Sequence, residues 1–156
     1  MKITTLEMEI ILAERFNSRA NLIVPNVSWG MDSHECDLFI LTPAGYATEV
    51  EIKVTKADLR KDKLKKHGHF NPHIKYLYFA IPEYLRNDIE EIPEEAGIYI
   101  AERYNGRWWC YMHRQALKKS KYKYSDAERL KLARLGAMRI WGLKRKVEKL
   151  KRIKIK

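Results

Sequence analysis

The chain has 156 residues, 46% apolar and 33% charged, enough for one hydrophobic core and too apolar for a disordered polymer. Its net charge of +11 is uneven: residues 1–113 carry 14 Lys/Arg against 17 Asp/Glu, net −3, and residues 114–156 carry 17 against 3, net +14. That asymmetry points to a polyanionic partner, with a solvated, self-repelling tail as the plainer alternative.

The opening residues, MKITTLEMEIILAERF, are interrupted by charges, which predicts neither a signal peptide nor a membrane helix. A soluble, cytoplasmic protein without a membrane partner is expected. Cys36 and Cys110 lie far apart in apolar, strand-like contexts and read as free buried thiols of a reducing compartment.

Helical spacing over Leu6–Phe16 follows Thr4 and Thr5 as candidate N-caps. Asn21–Trp29 reads as a strand in which Pro25 signals an edge or a bulge. Cys36–Leu41 is a second strand, and Thr42–Tyr46 carries turn chemistry into a third beginning at Ala47. A charged helix is predicted over Lys56–Lys66, a buried strand over Tyr76–Ile81, and a short helix over Glu83–Ile89. Asn105-Gly106 joins Gly97–Tyr104 to Arg107–His113 as a hairpin. Ser125 and Glu128 form a capping box for a C-terminal helix with an apolar stripe of Leu130, Ala133, Ala137, Trp141 and Leu150, weakened by Gly136 and Gly142. The order is α-β-β-β-α-β, then a hairpin, then a basic helix: a mixed α/β fold.

The stretch ATEVEIKVT, residues 47–55, puts Glu49, Glu51 and Lys53 on one face of a strand and Val50, Ile52 and Val54 on the other. A turn centred on Ala44 pairs residues whose numbers sum to 88, so Leu41 faces Ala47, Phe39 faces Glu49 and Asp37 faces Glu51. Two carboxylates that close repel unless a cation lies between them, and hard oxygen donors suit Mg²⁺ or Mn²⁺. A slip of one residue would separate the pair. On a helical wheel, Glu9 falls in the middle of the apolar face of the first helix. A carboxylate there pairs with a buried base, is protonated, or serves a metal site.

Asp37, followed by Glu51-Ile52-Lys53 in an α-β-β-β-α-β order, resembles the PD-(D/E)xK nuclease superfamily over about residues 5–82. A narrower similarity, carried by EIKVTKADLRKDK (51–63), YFAIP (78–82) and PEEAGIYIAE (93–102), is to MmcB-like DNA-repair proteins within that superfamily. Cys36 stands where the superfamily name has Pro, at a variable position that is not a ligand. The expected fold is a restriction-endonuclease-like core over 1–113, implied by the resemblance over its first part, with 114–156 as a basic helical extension packed on the same domain, read from its charge and capping box. The resemblance implies a metal held by Asp37, Glu51 and the Ile52 carbonyl, Lys53 orienting or activating water, and Glu9 supporting the metal shell. Glu49 is an accessory. The implied activity is Mg²⁺- or Mn²⁺-dependent hydrolysis of DNA in repair or recombination, on a branched or single-stranded substrate. Resolvase-like members of such folds work as dimers, so a homodimer is an expectation too.

The rival reading is a binding module that keeps the fold without catalysis; a third is a protein-interaction domain with a basic, partner-binding helix. Lys56, Arg60, Lys63, Lys144, Arg145 and Lys146 are candidate phosphate contacts in the first two readings. His67, His69 and His73 have a spacing that suits loop histidines or phosphate contacts better than zinc. Trp108, Trp109 and Tyr111 suit core packing more than base stacking. No phosphate-binding GxxxxGK[ST] or dinucleotide GxGxxG motif is present.

Overall fold

The computed structural model describes residues 2–27, 35–62 and 71–154. The helix α1, Thr5–Arg15, starts at a reciprocal capping box: the Glu7 amide donates to Thr4 Oγ1 at 3.2 Å and the Thr4 amide to Glu7 Oε2 at 2.7 Å. Strands β1 (Leu22–Val27), β2 (Cys36–Leu41) and β3 (Ala47–Ile52) follow, then α2 (Lys56–Asp62) and β4 (Ile74–Pro82). Next come a 3-10 helix over Glu83–Glu91, the hairpin β5 (Gly97–Tyr104) and β6 (Arg107–Arg114), and α3 (Asp126–Lys154). This is the α-β-β-β-α-β core read from the sequence, with the added hairpin and basic helix.

The six strands form one sheet in chain order. Pairing is antiparallel from β1 to β3, parallel across β3, β4 and β5, and antiparallel again to β6. The β3–β4 connection is the α2 crossover that a parallel pair requires. Pro25 lies on the edge strand β1, where a missing N–H is tolerated. Asn105 and Gly106 both have positive φ, 48° and 80°, as a two-residue type I′ hairpin turn demands. Cys36 on β2 and Cys110 on β6 are separated by three strands and are both free thiols; Cys36 is buried and Cys110 only half-buried.

Two layers cover the sheet. On one face, Met8, Ile11 and Leu12 of α1 pack with Leu38, Ile40, Val50, Ile52 and Tyr78. On the other face, Leu132 and Leu135 of α3 pack with Val24, Phe39, Leu41 and Ala47, while Leu59 of α2 and Leu85 of the 3-10 helix pack with Leu77, Phe79 and Ile98. That second face therefore carries two apolar clusters, and β3 runs between them.

The row of α3 that meets the sheet differs from the expected stripe: Leu130 and Trp141 are exposed, and Leu132 and Leu135 are buried. Gly136 explains the choice. A Cβ there would lie 3.2 Å from Val24 Cγ2, so the glycine lets the helix approach β1 closely. Among the described residues, no helix is long and apolar enough to cross a membrane.

Candidate active site

The turn between β2 and β3 sets the register of the site. Gly45 takes φ of 86°, the Gly45 amide donates to the Thr42 carbonyl at 3.0 Å, and the Thr42 amide donates to the Tyr46 carbonyl at 2.9 Å. The ladder runs Leu41↔Ala47, Ile40↔Thr48, Phe39↔Glu49 and Leu38↔Val50, every pair summing to 88 as the turn chemistry predicts. One step further the strands part and side chains take over. The Ile52 amide donates to Asp37 Oδ2 at 2.8 Å, so the carboxylate satisfies a backbone donor that has left the ladder.

Glu49 and Glu51 lie in a polar row between apolar walls. Glu49 is in register with Phe39 on one side and Leu77 on the other, and Glu51 is in register with Phe79. Glu49, Glu51 and Lys53 are 4%, 2% and 8% exposed. Lys53 Nζ donates to Glu51 Oε2 at 2.7 Å, a charge-assisted bond almost out of water. The Lys53 amide continues the parallel pairing by donating to the Ala80 carbonyl at 3.0 Å. Two residues on, Thr55 caps α2 by accepting from the Asp58 amide at 3.1 Å. The pair thus sits at the carboxyl end of β3, and ligands of open α/β sheets bind outside the carboxyl ends of strands.

Glu9 does not occupy the middle of the buried stripe of α1. That stripe is Met8, Ile11 and Leu12, and Leu6, expected in it, is exposed. Glu9 is half-buried beside the stripe because α1 is rotated so that Met8, at the adjacent position, points into the core. Asn26 donates its side-chain amide to Glu9 Oε1 at 3.3 Å. Burial pushes the Glu9 carboxyl above its ordinary pKa; the Asn26 bond opposes this, and the Asp37 charge adds to the rise. Glu9 is therefore electrostatically coupled to Asp37 although it arrives from α1, on the opposite layer from α3. A cavity of about 590 Å³ opens beside it, between Leu6, Pro25, Asn26 and the α3 residues Leu135, Arg139 and Lys146. Asp37, Glu51 and Lys53 do not line that cavity.

Sequence reasoning gave no role at the site to Asn26, Cys36 or Tyr124, which lie around this row. Asn26, with φ of 53°, both bends β1 and holds Glu9; an Asn after Pro in a strand is the available signal. Cys36 lies close enough to Glu49, Glu51 and Asp37 that their charges, added to burial, push its thiol far up and leave it unreactive. Tyr124 packs edge-on against Phe39 with ring centroids 5.7 Å apart, and its buried hydroxyl has no hydrogen-bond partner among the described residues. Burial and the charge of Glu128, with Glu49 contributing, raise its pKa.

The basic candidates divide. Lys56 is ion-paired with Asp88, and Arg60 lies 3.8 Å from Glu91, so both meet carboxylates of the 3-10 helix. Lys144, Arg145 and Lys146 are exposed on the far half of α3. Lys63, His67 and His69 lie outside the described residues, and His73 stacks on Tyr122 with centroids 4.1 Å apart. Trp108 packs against the α1 core, as expected, whereas Trp109 is exposed on edge strand β6 beside Tyr111.

The donor set suits a hard cation by its chemistry: carboxylates of Asp37 and Glu51 on adjacent strand ends, with the Ile52 peptide between them. Among the described residues no group of three His, Cys, Asp or Glu is arranged to hold an ion. Two carboxylates fit Mg²⁺, which keeps several waters, better than they fit an all-protein cage.

A solved structure, the SPO1766 protein of unknown function from Silicibacter pomeroyi, superimposes with a TM-score of 0.63 over 97% of this chain and 94% of its own, at 18% identity, a likeness of fold alone. No curated protein matches the chain. The family described as DNA repair protein MmcB-like matches residues 13–147, most of the length and all of the Asp37–Lys53 site. The chain belongs to the MmcB-like family of DNA repair proteins.

Proposed function

We propose that this protein is a metal-dependent DNA nuclease of the PD-(D/E)xK kind, working in DNA repair or recombination. The observation that carries the reading is the buried Glu51–Lys53 ion pair beside an Asp37 carboxylate fixed on the next peptide. A buried ion pair is seldom the most stable filling for such a position, and its retention between two apolar clusters suggests a chemical use.

Asp37, Glu51 and the Ile52 carbonyl would hold Mg²⁺ or Mn²⁺. Such an ion would supply Lewis-acid charge for the phosphoryl oxygen and would lower the pKa of bound water. Asp37 is oriented by the Ile52 amide, which fixes its carboxylate beside the end of β3. Lys53 presents an ammonium held at the site by Glu51, suited to stabilising charge on the scissile phosphate or orienting the attacking water. Hydrolysis is then an in-line displacement at phosphorus: the water oxygen bonds to phosphorus and gives up a proton, the P–O bond to one sugar breaks, and the leaving oxygen takes up a proton, giving one phosphate end and one hydroxyl end. Glu9, half-buried and held by Asn26, would support the metal shell from α1. The exposed bases of α3 supply backbone contacts, which makes binding weaken steeply with salt.

The second reading, a DNA-binding module without cleavage, rests on the exposed Lys144, Arg145 and Lys146 of α3, which need no metal to hold a phosphate backbone. One assay separates the two. Single-stranded, duplex, nicked and branched DNA are incubated with Mg²⁺, Mn²⁺ or EDTA, using wild type, Asp37→Asn and Lys53→Gln. Asn keeps an oxygen for the Ile52 amide, so Asp37→Asn tests charge without breaking the strand junction. Metal-dependent cleavage, lost in folded Asp37→Asn that still binds DNA, is expected. Binding without cleavage on every substrate, unaltered by either substitution, would replace the nuclease by the binding module.

A further inference from the structure

We infer that the far half of α3 is a docking seam for an acidic amphipathic helix of a partner protein. Ile140, Leu143, Val147 and Leu150 are 55%, 55%, 51% and 61% exposed, on a helix whose sheet-packing contacts come from Leu132 and Leu135 instead. Their 3-4-3 spacing gathers them into one narrow row, and β-branched residues alternate with leucines as at the a and d positions of a two-stranded coiled coil. A row this narrow is the shape of a helix–helix seam. A membrane-surface helix presents a broad apolar face, and here Trp141 lies well off the row, under the Lys144 ammonium at 4.9 Å.

Charge selects the occupant. The positions flanking the row are Arg139 and Lys146 on one side and Lys144 and Lys151 on the other. The only acid in this half, Glu148, is engaged by Arg152 at 3.1 Å. The Arg139 guanidinium is held on the Asn26 carbonyl, which leaves Lys144, Lys146 and Lys151 to face an occupant. A second copy would set base against base along both flanks, in either orientation, whereas glutamates at the flanking positions of a partner would pair with those three. DNA needs no apolar row, and Arg145, Lys149 and Arg152 point to the opposite side of the helix, about 180° from the row at 100° per residue. A partner helix would take Lys144 and Lys146 from the DNA contacts of α3 and leave Arg145, Lys149 and Arg152 to DNA, and this inference stands independently of the nuclease reading.

The test uses the full chain and a four-heptad peptide with Ile at a, Leu at d and Glu at e and g, whose like charges keep it from pairing with itself. A control peptide has Lys at e and g. Fluorescence anisotropy is expected to give micromolar binding of the Glu peptide and at least about tenfold weaker binding of the Lys peptide. Val147→Ser/Leu150→Ser, neutral changes at exposed positions, should weaken the Glu peptide at least about tenfold with an unchanged thermal melt. Arg145→Ala/Lys149→Ala should leave it within about twofold and lower DNA affinity. The inference is overturned by equal binding of both peptides, by no binding of either, or by indifference to the double Ser variant. A concentration-dependent dimer, or attachment to anionic phosphatidylserine vesicles, that the Ser variant abolishes while the Glu peptide stays unbound would overturn it in favour of that occupant.

Discussion

Removing the Lys53 ammonium tests whether the row between the two apolar clusters is held together by charge. Lys53→Met keeps the length of the side chain and leaves Glu51, 2% exposed, without the donor 2.7 Å away. At that distance an effective dielectric of about 20 gives an attraction of roughly 6 kcal/mol, much of it offset by several kcal/mol of desolvation per ion. The net worth of the pair is therefore small, yet breaking it takes a charge-assisted donor from a buried carboxylate. Lys53→Met should cost about 3–5 kcal/mol, and Lys53→Met/Glu51→Gln markedly less than the two single changes together, with a coupling of roughly 1–3 kcal/mol. The assay is urea unfolding at pH 7 in EDTA, checked by thermal melts, where 3–5 kcal/mol corresponds to a drop of about 6–20 °C for a chain of this size. A cost below about 1 kcal/mol, or additivity within about 0.5 kcal/mol, would refute the reasoning, because that is how an exposed pair behaves.

Glu9 has a raised pKa in the folded protein, so the native state binds more protons than the unfolded one as pH climbs from its ordinary 4.5. Its contribution to stability must fall as pH rises through that window, and the wild type should lose stability relative to Glu9→Gln between pH 4.5 and 7, measured by urea unfolding at each pH; a flat difference would refute the assignment. Ser125→Ala removes the α3 capping box, in which the Glu128 amide faces Ser125 Oγ at 3.4 Å and the Ser125 amide donates to Glu128 Oε2 at 2.8 Å, and should cost about 1 kcal/mol. Those bonds, led by the Ser125 hydroxyl, hold the Glu128 pKa down, so the cost is present at neutral pH and fades as pH falls through that lowered value. Gly106→Ala meets no atom within 4 Å and should cost only the positive-φ penalty of about 1–2 kcal/mol. Gly97→Ala would set a Cβ 2.2 Å from the Tyr78 ring and should cost more; equal chemical melts would contradict the packing.

Much of the site was legible because short-range chemistry wrote it. Gly45 and its neighbours dictate a turn, the turn dictates a register summing to 88, and alternation then puts Glu49 and Glu51 on one face. The capping boxes at Thr4 and Ser125 and the Asn105-Gly106 turn were equally local. Glu9 was harder: an eleven-residue helix with Leu6, Met8, Ile11, Leu12 and Phe16 allows several buried stripes, and only packing on β3 and β6 chose Met8, Ile11 and Leu12. Gly136 likewise reads as a weakness in a helix until Val24 is seen opposite it.

By itself the sequence determined the element order, the β2–β3 register and the charge contrast between body and C-terminal helix, since each depends on residues close together in the chain. Only the tertiary structure decided that the Glu49–Lys53 row lies between two apolar clusters, that Lys56 and Arg60 meet carboxylates of the 3-10 helix, and that Ile140–Leu150 stays uncovered. Burial and pairing are properties of what arrives from elsewhere in the chain, and local pattern leaves that choice open until the layers pack.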